Sequence, residues 1–152
     1  MRVLHDRRVP GSRSRANIDH IVIGPAGVFV VEAKRLVGRI EIRNRGGFFR
    51  SDWRLTVGGR DQSKLARAMT WQVDAVRAAL VAAGIDPLPQ ITPVLCFIDC
   101  DWPLIRPPNE FEGVLLEGPG SLKRLVTGSV VLNHAEIDRL AGLLAVAMPP
   151  KS

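Results

Sequence analysis

The chain first changes hydrophobic period near residue 61. Before that point apolar and polar positions alternate over short runs broken by glycine, the pattern of strands joined by tight turns. "RVLHDRRV" (2–9) alternates weakly and reads as a first or edge strand. "PGSRSRAN" (10–17) reads as turn or loop from its Pro, Gly and Ser. "NIDHIVIGPAGVFVVEAK" (17–34) reads as two strands folded about "GPAG". "VGRIEIR" and "GGFFRSDWRLTVGG" read as further antiparallel strands, the second including Phe49, Trp53 and Leu55.

From Asp61 the apolar residues fall at Leu65, Met69, Val73, Val76, Leu80 and Ala83, spacings of three and four that predict a helix over 62–83. Asp61 or Ser63 can cap its start and Gly84 its end. "ITPVLCFID" is a dense apolar run and predicts a central buried strand, and "FEGVLLEG" predicts one more short strand. "GSLKRLVTG" and "NHAEIDRLAGLLAVAM" predict two terminal helices, the second with Asn133 as cap and Glu136 at the capping-box position. This order predicts an α/β fold, a mixed β-sheet flanked by helices. At 152 residues it is most simply one domain, 1–152.

Composition adds a class. The chain is 46% hydrophobic and 24% charged, without an apolar run long enough to span a bilayer, so no membrane partner is expected. The first thirteen residues lack an apolar stretch, and no secretory leader is expected. Cys96 and Cys100 stand as C-x3-C without further Cys or His nearby, a poor zinc signal and an awkward disulfide along one strand. They read as core thiols of a cytoplasmic protein. Charge is uneven: residues 1–60 hold 13 Lys and Arg against 5 Asp and Glu, whereas 61–152 hold 8 against 10. A net +8 on the first part suits a polyanionic partner, and it equally describes an arginine-rich solvated surface.

Candidate chemistry lies in the hairpin at 17–34, where charge interrupts runs that should be buried. Asp19 stands in the first strand; Glu32 and Lys34, two apart, share one face of the second. If Gly24 faces Gly27, Asp19 lies opposite Glu32 and Asn17 opposite Lys34. Two carboxylates so placed repel unless a cation sits between them, and a divalent metal with oxygen ligands answers that need. The rival register, with a glycine bulge at Gly27, pairs Gly24 with Val28 and turns Asp19 away from Glu32. Turn chemistry favours the bulge; the charged interruptions favour the even register. Gln72 borders the apolar stripe of the long helix, either as a satisfied core amide or as a group reaching over the sheet towards a metal or phosphate. His20 alternates to the other face and reads as a packing or hydrogen-bonding residue.

The residues Ile18-Asp19-His20, Gly24-Pro25-x-Gly27-Val28-Phe29, Glu32-x-Lys34 and Gly38, with Gln72 in the following helix, closely resemble the signature of the nuclease-related domain (NERD) family, within the PD-(D/E)XK nuclease-like superfamily. The resemblance covers about residues 3–100, leaving a C-terminal strand and helices over 101–148. It implies a restriction-endonuclease-like sheet core and Mg²⁺-dependent (or Mn²⁺-dependent) hydrolysis of phosphodiester bonds in DNA. Asp19 and Glu32 would be metal ligands together with the backbone carbonyl of Ala33. Lys34 would orient or activate the attacking water, and Gln72 would be an accessory residue. The resemblance also settles the register with Asp19 opposite Glu32. One departure stands out: the superfamily's helix before the first strand has no counterpart, and Asp6 is the only acid upstream of Asp19. The expectation is a start further upstream or a shortened member, whose bared sheet would invite self-association.

The leading expectation is therefore a metal-dependent deoxyribonuclease acting through Asp19, Glu32, Lys34 and Gln72. The alternative is a non-catalytic nucleic-acid-binding or interaction module on a truncated or degenerate nuclease fold, holding its ligand with Arg43, Arg45 and Arg50.

Overall fold

A computed structural model of the protein describes residues 1–12 and 16–152, so the middle of the loop read in "PGSRSRAN" lies outside the described residues. The strands are β1 (Arg2–Arg8), β2 (Asn17–Gly24), β3 (Gly27–Arg35), β4 (Ile40–Asn44), β5 (Trp53–Val57) and β6 (Arg60–Asp61). Helix α1 (Ser63–Ala82) follows, then β7 (Ile91–Ile98), β8 (Glu110–Phe111), β9 (Val114–Glu117), α2 (Pro119–Thr127) and α3 (His134–Ala147). Six strands form a mixed sheet in the order β1-β2-β3-β7-β9-β8, and β4-β5-β6 form a separate small sheet. β7 runs parallel to β3 and β9, while β1, β2 and β8 supply antiparallel pairs.

Helices cover both faces of the large sheet, which is why β3 and β7 read as continuous apolar runs. On one face Ile21, Ile23, Val28, Val30, Leu95 and Phe97 pack against Met69, Val76 and Leu80 of α1 and Ile137 and Leu144 of α3. On the other, Val22, Phe29, Val31, Val94 and Cys96 pack against Leu122, Leu125 and Val126 of α2. Both cysteines are free. No helix among the described residues is long and apolar enough to cross a membrane.

Local chemistry accounts for the helix ends. The N-cap of α1 is Gln62, without a side-chain cap bond, and not Asp61 or Ser63. Asp61 Oδ1, one residue earlier, accepts the backbone N–H of Ser63 at 2.9 Å, and Gly84, at φ +78°, turns the chain away after α1. At α3, Asn133 and Glu136 close a reciprocal capping box. α1 begins one residue inside the range expected from the periodicity and ends one residue before its limit.

Two expected strands come out differently. "FEGVLLEG" is a hairpin, β8 and β9, because Glu112 and Gly113 both take positive φ, the geometry of a tight two-residue turn. In "GGFFRSDWRLTVGG" the strand starts only at Trp53; Phe49 lies in the preceding loop and is almost wholly exposed.

The β4–β5 hairpin is clamped at its root beside the end of β3. A Cβ on Gly38, at φ +123°, would lie 2.4 Å from Gly58 Cα, so the two glycines let the chain pass backbone to backbone. Asp101 N–H donates to Gly38 O at 2.9 Å and Ile40 N–H to Asp101 O at 3.0 Å, fixing the hairpin to the segment after β7.

Candidate functional site

The β2–β3 hairpin has the even register. Gly24 pairs with Gly27, Ile23 with Val28 and so on down to His20 with Val31. The bulged pairing of Gly24 with Val28 is not formed. Beyond His20 the strands part: β2 continues along β1 to Asn17, and β3 continues along β7 to Arg35. Asp19 and Glu32 therefore stand one step past the last rung, where the ladder ends, near enough for the charge of Glu32 to act on Asp19. Asn17 does not face Lys34 as expected; it pairs with Arg8, and its amide donates to Asp6 Oδ1 at 3.3 Å. The parting of β2 from β3 draws it towards the edge strand.

Glu32 and Lys34 lie on the face covered by α1, in register with Leu95 and Phe97 of β7. Lys34 Nζ is 2.8 Å from Glu32 Oε1. Gln72, only 4% exposed on α1, donates from Nε2 to Glu32 Oε2 at 2.9 Å. Both Glu32 oxygens thus have protein partners. The other end of the same amide, Gln72 Oε1, is buried with no hydrogen-bond partner among the described residues. Gln72 is therefore not a fully satisfied core amide: one half is used on Glu32 and the other is left over.

Electrostatics sets the two acids apart. Burial pushes the Asp19 carboxyl up, the charge of Glu32 pushes it further, and Lys34 and His20 counteract in part, with Asp6 adding a small upward push. The Lys34 ammonium is held above its ordinary value, first by the hydrogen bond to Glu32, against a desolvation penalty. It stays charged at neutral pH. The site thus has a half-buried carboxylate lacking a full counter-charge beside a carboxylate–ammonium pair. Among the described residues no three His, Cys, Asp or Glu side chains converge as a metal-binding group.

Ala33 sits between Glu32 and Lys34 in the stretch where β3 has left β2 but still pairs with β7. His20 Nδ1 lies 2.8 Å from His5 Nδ1, the two rings edge to face. His20 is thus engaged with β1, and nothing in the sequence pattern singled out His5 as its partner. Asp6 near Asp19 was equally hard to foresee, because it stands at φ +48° in the middle of an edge strand.

The three arginines named from the sequence all lie on or beside the β4–β5 loop and are exposed. Arg43 forks onto Glu41 with contacts of 3.0–3.1 Å. Arg45 donates to Gly59 O at 2.9 Å. Arg50 makes no side-chain hydrogen bond or ion pair with the described residues.

The sequence model of the nuclease-related domain (NERD) matches residues 1–98, a stretch that includes Asp19, Glu32, Lys34 and Gln72. No curated protein and no solved structure matches the chain.

Proposed function

Because the chain belongs to the nuclease-related domain family, we propose that it is a nucleic-acid-binding domain, a single unit of 152 residues with a restriction-endonuclease-like core. The observation that carries this reading is the charge asymmetry, a net +8 over residues 1–60, with Arg43, Arg45 and Arg50 exposed on one projecting hairpin. Guanidinium groups on such a hairpin suit phosphate oxygens, and the surrounding positive field draws a polyanion in. This reading leads because both Glu32 oxygens already have protein partners and, among the described residues, no three His, Cys, Asp or Glu side chains converge as a metal-binding group.

The test is the affinity for a labelled oligonucleotide between about 50 and 200 mM salt. Binding should weaken linearly in a log–log plot. Arg45→Gln with Arg50→Gln should make the slope shallower by about 0.7–0.9 for each phosphate that is no longer neutralised. Absence of binding, or binding that ignores salt, would overturn the reading.

A second reading, hydrolysis of phosphodiester bonds in DNA, is favoured by one specific observation. Asp19 lies beside Glu32 with its carboxyl pushed up by burial and by that neighbour, and Gln72 Oε1 stands buried and unpartnered close by. An under-compensated carboxylate and an orphan oxygen fit a hard divalent cation such as Mg²⁺ or Mn²⁺. Asp19, Glu32 and the carbonyl of Ala33 would hold it. Such an ion lowers the pKa of bound water and offsets charge on phosphoryl oxygens. Lys34, kept protonated by Glu32, would hold a phosphate oxygen rather than take up a proton, and Gln72 would fix the rotamer of Glu32. Calorimetry of Mn²⁺ with the protein and with Glu32→Ala tests the site, and a DNA cleavage assay with Asp19→Ala tests the reaction. Saturable binding lost in Glu32→Ala supports this reading. Absence of binding to either protein removes it and leaves the first reading in place.

A further inference from the structure

The tip of the β4–β5 hairpin places Phe48 and Phe49 in solvent, each 98% exposed, with ring centroids 5.3 Å apart and planes at 73°. Two adjacent phenylalanines so bare forgo roughly 1.5–3 kcal/mol of burial each, and no packing among the described residues recovers it. Their backbone position sharpens the point. Arg50 N–H donates to Gly47 O at 3.4 Å, so Phe48 and Phe49 are the two corner residues of a β-turn. Corners ordinarily take Pro, Gly, Asn, Asp or Ser for conformational reasons, and phenylalanine brings none of these.

The loop is nevertheless well built. Asn44 Oδ1 accepts the backbone N–H groups of Gly46 and Asp52, both at 2.9 Å, and Arg45 N–H donates to Asp52 O at 2.8 Å. A Cβ on Gly46 would lie 1.8 Å from Arg50 O, so the chain closes on itself at that point. The rings are held out on a braced loop, and the next residue, Arg50, is exposed with its guanidinium unpartnered among the described residues.

We infer that Phe48 and Phe49 form a stacking platform for the bases of single-stranded nucleic acid, with Arg45 and Arg50 taking the flanking phosphates; this rests on the nucleic-acid reading above and specifies its ligand. Charge complementarity decides the occupant. An apolar pair bordered by arginine matches a strand whose bases are apolar-faced and whose backbone is anionic. A duplex keeps its base faces stacked and offers the rings nothing but its ends. The rings are also nearly perpendicular, so each presents a face to a different base.

Fluorescence anisotropy with a labelled oligothymidine of about 16 nucleotides, and with a duplex of the same length, tests this. Phe48→Ala with Phe49→Ala should weaken single-strand binding by about 5- to 150-fold per stacked base, with the salt slope unchanged. Duplex affinity should stay as in the unaltered protein. Phe48→Trp with Phe49→Trp should retain single-strand binding, which separates stacking from loop damage. Wild-type single-strand affinity in the alanine variant would overturn the inference while leaving the nucleic-acid reading intact. So would an alanine variant that loses only its binding to phosphatidylserine–phosphatidylcholine vesicles, since the platform would then serve a lipid surface. A protein that binds neither oligonucleotide overturns both.

Discussion

The ammonium of Lys34 lies 2.8 Å from Oε1 of Glu32, two residues earlier on the same face of β3. This pair lets a half-buried strand end carry charge next to Leu95 and Phe97 of the neighbouring strand. Lys34→Met removes the cation and leaves Glu32 and Asp19 facing each other. Stability at pH 7 should fall by about 1 kcal/mol, the upper end for a partly exposed pair. Lys34 titrates above its ordinary value, so its contribution is complete at neutral pH and is lost only as the pH climbs through that raised value. Thermal melts at pH 7 should separate the variant from the unaltered protein. The gap should begin to close above about pH 10.4, where the unfolded lysine loses its proton, and vanish only beyond the raised native value. Equal melting at pH 7 would mean the pair contributes nothing.

Asp19 behaves in the opposite sense. Its carboxyl is pushed up by burial and by Glu32, so the native state holds that proton more tightly than the unfolded chain does. Below the ordinary aspartate value of about 3.9 both states are protonated and there is no cost. As the pH rises from there the unfolded chain ionises first, and the native state loses ground until the raised value is passed. Asp19→Asn should therefore melt higher than the unaltered protein at pH 7, with the gain shrinking to nothing below about pH 4. A variant that melts lower at neutral pH would mean the carboxylate is well compensated after all.

The elements that buried themselves most completely were the most legible. Helix α1 announced itself by its spacing, and the capping box of α3 by Asn133 and Glu136. The shared face of Asp19 and Glu32 followed from counting residues about the Gly24–Gly27 turn, once the bulge was set aside. What escaped was everything that breaks the rule of apolar inside. Phe48 and Phe49 extend an alternating run in sequence, yet the turn at Gly47–Arg50 carries them outward. The β8–β9 turn depends on Glu112, a non-glycine residue at φ +49°, which no turn signature marks. The parting of β2 from β3 beyond His20 arises from competition between β1 and β7 for their edges, a tertiary effect invisible along either strand.

Gln72 ties the helix to the site, and its substitution separates two contributions. Gln72→Ala removes a hydrogen bond to a charged group, worth about 1.5–3 kcal/mol, and opens space above the sheet. Gln72→Leu also removes that bond and, like alanine, the orphan Oε1, but it refills the space, so it should cost less than alanine. Denaturant titration of both variants checks the order. Leucine costing more than alanine would show that an apolar group over Glu32 costs more than the space that alanine opens, so that the hydrogen bond to Glu32 outweighs the packing.

Alanine at Gly38 meets backbone, not a movable side chain: its Cβ would stand 2.4 Å from Gly58 Cα and 2.7 Å from Gly58 N. The residue also sits at φ +123°, where a side chain is strained whatever the space. Strain alone costs about 1–3 kcal/mol, and relieving the clash must push β4–β5 away from the segment after β7, stretching the Asp101–Gly38 and Ile40–Asp101 hydrogen bonds. Gly38→Ala should thus lower stability by at least that strain and also weaken oligonucleotide binding, because Arg45, Phe48, Phe49 and Arg50 ride on the displaced hairpin. Gly47→Ala is the matched control: its added Cβ meets nothing within 4 Å, and stability should change by no more than about 0.5 kcal/mol. Urea denaturation and anisotropy on the same two proteins read both effects. A Gly38→Ala protein that melts lower yet binds with unaltered affinity would show that the hairpin's placement does not govern recognition.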